Sequence, residues 1–188
     1  MMDTLEKHLS ELQEKHSFGK PERKAGSFEE NPIGLPAKVA KDIGTQLDRH
    51  QSSLFVLFHQ YQKHHWVVEG PQWRDLHLYL EQAYTQIHQD LDALAERMTV
   101  LGGVPSSGPA ALLKSAYIEH EPEGKFSIRA SLENSMAAEK LIAIALRTSI
   151  EEANKAGDFG SERLLKKTLE HTEDRAHHLE HYLADDKL

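Results

Sequence analysis

His65, His77, Glu81, Asp92 and Glu96 are the residues of this chain whose types and spacing suggest chemistry. Two imidazoles and three carboxylates make a nitrogen and oxygen donor set suited to iron or another first-row divalent cation. His77 and Glu81 are four apart and share one helix face, as do Asp92 and Glu96. His65 lies about a turn before Gly70-Pro71 and His77 about a turn after it. In a helical hairpin these two positions stand at similar height. Glu81 and Asp92, however, are separated by eleven residues, about 16 Å along a helix. Paired catalytic metals sit only about 4 Å apart, so one chain cannot gather both pairs at one small site. Eleven steps of about 100° do return to nearly the same face. If two copies of this helix pack antiparallel about a two-fold axis, 77 meets 96 and 81 meets 92. Both pairings centre between Gln86 and Ile87. The spacing therefore suggests twin metal sites at an isologous dimer interface.

Positioning these groups requires long helices, and apolar residues recur at helical spacing nearly throughout. The pattern predicts a short amphipathic helix over Asp3 to His16, then an extended Gly-, Pro- and Ser-bearing arm over 17–35. Long helices follow at about Pro36 to Val68, Trp73 to Leu101, Ser127 to Ala156 and Ser161 to Ala184, with a short one at about Pro109 to Glu119. The expected fold class is all-α: an arm over 1–35 and a four-helix bundle over 36–188, with one long link between its second and third helices. Bundles of this shape often bind paired iron through Glu-x-x-His on two helices. This chain contains no Glu-x-x-His, which argues against a site inside one bundle.

Composition narrows the chemistry further. The 188 residues are 39% hydrophobic and 28% charged, as expected of a water-soluble domain. The longest purely apolar run of note, LIAIAL at 141–146, is far shorter than a membrane span. The charged amino terminus lacks a signal-peptide core, and the expected location is cytoplasmic. There is no cysteine, so thiolate ligands and disulfides are excluded, whereas 13 histidines are present. The net charge of -8 favours cations over nucleic acid as partners. Residues 1–32 carry five basic and seven acidic side chains, a net -2. Counterion release requires several uncompensated cations, so DNA binding is expected to be weak or absent.

Other polar residues have two readings each. His88 lies eleven residues beyond His77 on nearly the same face and is a candidate extra ligand; His59 is comparable. His64 is expected to be a surface or interface residue. His171, His177 and His181 are candidate accessory metal ligands, and histidines also suit a helix carboxyl end. Asp158 and Glu162 fit the capping of the last helix. Trp73 and Tyr79 are expected to pack.

The stretches KHHWVVEG (63–70), RDLHLYLEQAY (74–84) and DLDALAERMTVLGGVP (90–105) together resemble the signature of the Dps family, the ferritin-like mini-ferritins. The closing AHHLEHYL at 176–183 is similar to a histidine-rich branch. The resemblance implies a homododecameric shell with inter-subunit ferroxidase centres holding two iron ions each. His65, His77 and Glu81 would come from one subunit, with Asp92 and Glu96 from its two-fold mate. It also implies Fe(II) oxidation by hydrogen peroxide, Fe(III) mineral storage, and Trp66 beside the centre as a quencher of stray oxidising equivalents. Asp158 and Glu162 would fall at a three-fold pore. Position 81 is Glu where the family pattern has Asp, so its carboxylate reaches one methylene further. Two alternatives stand beside this: a DNA-compacting shell with secondary iron binding, and a zinc buffer without turnover.

Overall fold

The computed structural model describes residues 2–14 and 18–184. Among them six helices follow in order: α1 (Met2–Glu14), α2 (Ala37–Val67), α3 (Trp73–Val100), α4 (Pro109–Ser115), α5 (Ile128–Lys155) and α6 (Phe159–Leu183). The long helices fall within two residues of the expected limits, and α4 is shorter than expected, ending at Ser115 rather than Glu119. His16, the expected end of the first helix, lies outside the described residues. There is no strand among the described residues; Phe28 forms an isolated bridge with Gly103. Among the described residues no helix is long and apolar enough to cross a membrane.

α2 packs along α3, and α5 along α6; α2 also meets α5 and α4, and α3 meets α6. The link carrying α4 joins the two hairpins, which gives the all-α, ferritin-like bundle its crossover. Buried positions keep helical spacing: Leu47, Leu54, Leu57 and Tyr61 on α2, and Leu76, Leu80, Ile87, Leu94 and Met98 on α3. Leu132, Ile142 and Leu146 of α5 and Leu165 and Leu179 of α6 complete the core. The helix ends follow local chemistry. Gly70 takes φ +105°, open to residues lacking Cβ, just before Pro71. Ser127 accepts a hydrogen bond from the Ala130 amide at the start of α5, and Asp158 accepts one from Ser161 at the start of α6.

The centre of the bundle is not purely apolar. Glu139 of α5 is fully buried and Arg175 of α6 is 2% exposed. The guanidinium donates to both carboxylate oxygens, Nε to Oε1 at 2.6 Å and Nη2 to Oε2 at 3.2 Å. Tyr61 of α2 donates to Glu139 at 2.9 Å, and Arg175 reaches Gln86 of α3 at 3.0 Å. Asp90 lies 3.6 Å from Arg175 and is bonded to His171 at 2.8 Å. All four long helices thus meet in one polar cluster. Burial pushes the Glu139 carboxyl up, and Arg175 opposes that shift.

The segment after residue 17 is non-helical as expected, but it lies back against the bundle. Gly26 donates to Val104, Val104 to Ser27, and Glu29 to Gly102. Arg23 donates to the Gly102 carbonyl at 2.6 Å and pairs with Glu29 at 2.6 Å. The Phe28 ring occupies a notch that side chains at Gly44 or Gly103 would fill.

Candidate metal centre

The Gly70-Pro71 turn sets the last turn of α2 beside the second turn of α3, and His65 and His77 face each other there. Their rings stack with centroids 3.8 Å apart and planes 22° apart. Each Nδ1 donates to the other residue's backbone carbonyl oxygen, both at 3.0 Å. A carbonyl only accepts, so Nδ1 carries a proton in both rings, and Nε2 is the nitrogen left to serve as a ligand. Metal-binding histidines are oriented in this way by a hydrogen bond from their other nitrogen. Tyr84 stands edge-on to His65 at 5.4 Å, and Trp73 tilts against His77 at 5.2 Å. Trp73 is nonetheless 48% exposed, and Trp66 is 67% exposed. These two exposed indoles, that of Trp73 against His77, leave apolar surface for a partner to cover.

Glu81, Asp92 and Glu96 are all exposed on α3, and their side chains have no hydrogen-bond or ion-pair partner among the described residues. His65 and His77 come together within the chain, with Glu81 one turn further along α3. Asp92 and Glu96 lie three to four turns away along the helix, so the chain by itself presents an imidazole pair and, apart from it, an acid pair. Among the described residues no group of three or more His, Asp or Glu side chains converges. His88 is exposed on α3, its ring 5.6 Å from Phe58. His59 sits between Phe55 and Phe58, and partial burial, with His120, holds it below the usual imidazole range.

The remaining sequence-picked residues are placed as follows. His64 is a correction: it is 2% exposed, not a surface group. Its Nε2 lies 2.6 Å from Glu121, which also pairs with Lys63 and accepts from Asn134 at 2.5 Å. Burial keeps His64 below its ordinary pKa, against the pull of Glu121. Asp158 is 2% exposed; besides capping α6 it pairs with Arg97 at 2.7 Å. Glu162 pairs with Lys166 at 2.6 Å and accepts from Asn154 at 3.0 Å. His171 belongs with Asp90 in the central cluster, apart from His177 and His181 at the exposed end of α6. Tyr79 packs inward and donates to the Arg175 carbonyl at 3.1 Å.

The sequence reading missed the Glu139–Arg175 pair, although a signal was present. The core register of α5 runs 132, 135, 139, 142 and 146, so Glu139 falls on the apolar stripe. A charge there needs a partner. His50 was missed too: it is buried, with Tyr117 and Ser149 each 2.8 Å from a ring nitrogen. No spacing rule reveals that triple, because its members come from α2, the link and α5.

A four-helix bundle with one long crossover is the arrangement of a ferritin-like protein. Residues 44–188 match the family of ferritin-like domains, and the chain belongs to that family, in its Dps branch. A "DNA protection during starvation protein" of Halobacterium salinarum is 41% identical over 165 residues, covering 87% of this chain and 91% of that protein. A "nutrient stress-induced DNA-binding protein" of Nostoc sp. is 36% identical over 163 residues, covering 87% of this chain and 89% of that one. Among solved structures, an archaeal Dps homologue from Halobacterium salinarum superposes with a TM-score of 0.87 at 39% identity. The superposition covers 90% of this chain and 95% of that one.

Proposed function

We propose that this protein is an iron-storing and detoxifying ferroxidase whose oxidation sites form between two copies of the chain. The observation that carries this is the His65–His77 pair. Its reciprocal Nδ1-to-carbonyl bonds leave the two Nε2 atoms outside that contact, and His77 shares its face of α3 with the exposed Glu81, Asp92 and Glu96. Carboxylates and imidazoles fit Fe(II) as a substrate. An antiparallel α3–α3 contact would add Asp92 and Glu96 of a second copy to His65, His77 and Glu81 of the first, and place two irons at each site.

In that setting the imidazoles hold Fe(II) and fix its orientation. The carboxylates offset the positive charge gained as iron passes to the ferric state. Two Fe(II) ions supply the two electrons that reduce one hydrogen peroxide to two waters, with two protons taken up, so no one-electron oxygen radical is released. Trp66, exposed and adjacent in sequence to His65, would intercept stray oxidant. Ferric product would then collect as mineral inside a closed, twelve-subunit shell in the cytoplasm.

The names of the relatives supply the second reading, DNA protection by direct binding. The arm offers little for it, since Arg23 is already engaged with Glu29 and the Gly102 carbonyl. Protection through removal of Fe(II) and peroxide needs no DNA contact. The deciding experiment is anaerobic Fe(II) loading followed by hydrogen peroxide. A fast absorbance rise and soluble mineral are expected from the wild type, and loss of the fast phase with an intact assembly from Glu96→Ala. Fe(II) or zinc binding with no oxidation on peroxide addition would leave a metal buffer and refute the proposal.

A further inference from the structure

The end of α6 carries four histidines, at 171, 177, 178 and 181, and the fold sorts them. His171 is bonded to Asp90. His178 donates from Nδ1 to the Asp174 carbonyl at 2.8 Å, and its ring lies 5.6 Å from that of Tyr79. His177 and His181, one turn apart, instead face each other. Their ring centroids are 4.4 Å apart with planes 69° apart, and the two Nε2 atoms are separated by 3.2 Å. Both side chains belong to exposed residues.

That separation has a direct chemical reading. With metal–nitrogen bonds of about 2.0–2.1 Å, a 3.2 Å nitrogen–nitrogen distance subtends roughly 99–106° at a shared cation. This is close to the tetrahedral angle and wider than the right angle of an octahedral or square-planar site. We propose that His177 and His181 form a bidentate site for a divalent cation of the zinc class, separate from the proposed oxidation centre.

The donor set decides which cation and how firmly. Two imidazole nitrogens without a carboxylate favour zinc over Fe(II), which sits earlier in the Irving–Williams order. The nearby acids do not complete a cage. Glu173 is paired with Arg147 at 2.6 Å, and Glu180 approaches the opposite nitrogen of His177, Nδ1, at 3.9 Å. Among the described residues no third protein ligand converges, so water fills the remaining positions. A closed structural zinc site uses four protein ligands; this one is open and exchangeable. Zinc held on α6 is kept from carboxylates that would otherwise take it in place of iron. The proposal does not depend on the oxidation reading, because it uses none of that site's residues.

The test is equilibrium dialysis of the assembled full-length protein against zinc chloride, on wild type, His177→Gln, His181→Gln, His178→Gln and Glu96→Ala. The first two variants should each lose about one zinc per chain, the stoichiometry of one bidentate site, while His178→Gln keeps it. Glu96→Ala should keep the α6 zinc, and its zinc X-ray absorption should show two imidazole neighbours with oxygens. Wild-type zinc binding in both His177→Gln and His181→Gln would overturn the site. So would an equal loss in His178→Gln, which would mean diffuse binding to a histidine-rich surface. Neither result bears on iron oxidation, which the peroxide assay measures by itself.

Discussion

Complementation between two inactive variants tests the shared centre most directly. The acids at 92 and 96 lie about 16 Å or more along α3 from Glu81 and His77, respectively, at 1.5 Å per residue, whereas a paired-metal site spans only about 4 Å. His77→Ala therefore damages the imidazole half of a site, and Glu96→Ala the carboxylate half. Each variant alone should lose fast oxidation, since every site then contains one lesion. When the two subunits are mixed during assembly, roughly half of the two-fold pairs are mixed, as symmetry and random choice require. In a mixed pair one site collects both lesions, and the other takes its imidazoles from the Glu96→Ala subunit and its acids from the His77→Ala subunit. That second site is intact. The expected initial rate is about one quarter of wild type, because half the pairs each carry one good site of two. The assay is the initial absorbance rise after peroxide is added to anaerobically loaded Fe(II), with assembly size checked for each sample. A mixture no faster than the average of the separate variants would refute the shared site.

Glu139→Ala should destabilise the chain by about 3–5 kcal/mol, because it strands the buried Arg175 guanidinium without its carboxylate; urea unfolding measures this, and Glu139→Gln should cost less. His50 is neutral in the fold, its pKa lowered to about 4 by burial and by Arg49. The unfolded chain therefore takes up a proton first as pH falls. The His50 contribution, about 3 kcal/mol at most, is present above pH 6.5 and is lost between there and about pH 4. Urea midpoints followed across that window should fall in wild type and flatten in His50→Gln; parallel slopes would disprove the assignment. Gel shifts with linear DNA should show no retained complex near 0.15 M salt, a roughly physiological ionic strength, and a salt-resistant complex would reverse the charge argument made for the arm.

Much of this molecule was legible in its sequence because the signals are local. Apolar spacing, the Gly70-Pro71 turn, Ser127 and Asp158 each act within a few residues, so they mark the helices and their limits. The same periodicity put His77, Glu81, Asp92 and Glu96 on one face, and the fixed rise of a helix showed that they do not close on one another within a chain. Partners distant along the chain were a different matter. Nothing near His64 or His50 signals burial against Glu121 or Tyr117, since those contacts span 57 and 67 residues. Nor does spacing tell His171, tied to Asp90, from His177 and His181, which face each other. The apolar stripe of α5 marks Glu139 as buried, but only the packing of α2, α3 and α6 shows that Arg175, Tyr61 and Asp90 surround it. Tertiary structure also decided the tautomers of His65 and His77, because only the meeting of α2 with α3 brings each Nδ1 to the other's carbonyl. Helix rise and turn are properties of the backbone alone; burial and protonation depend on which helices pack together.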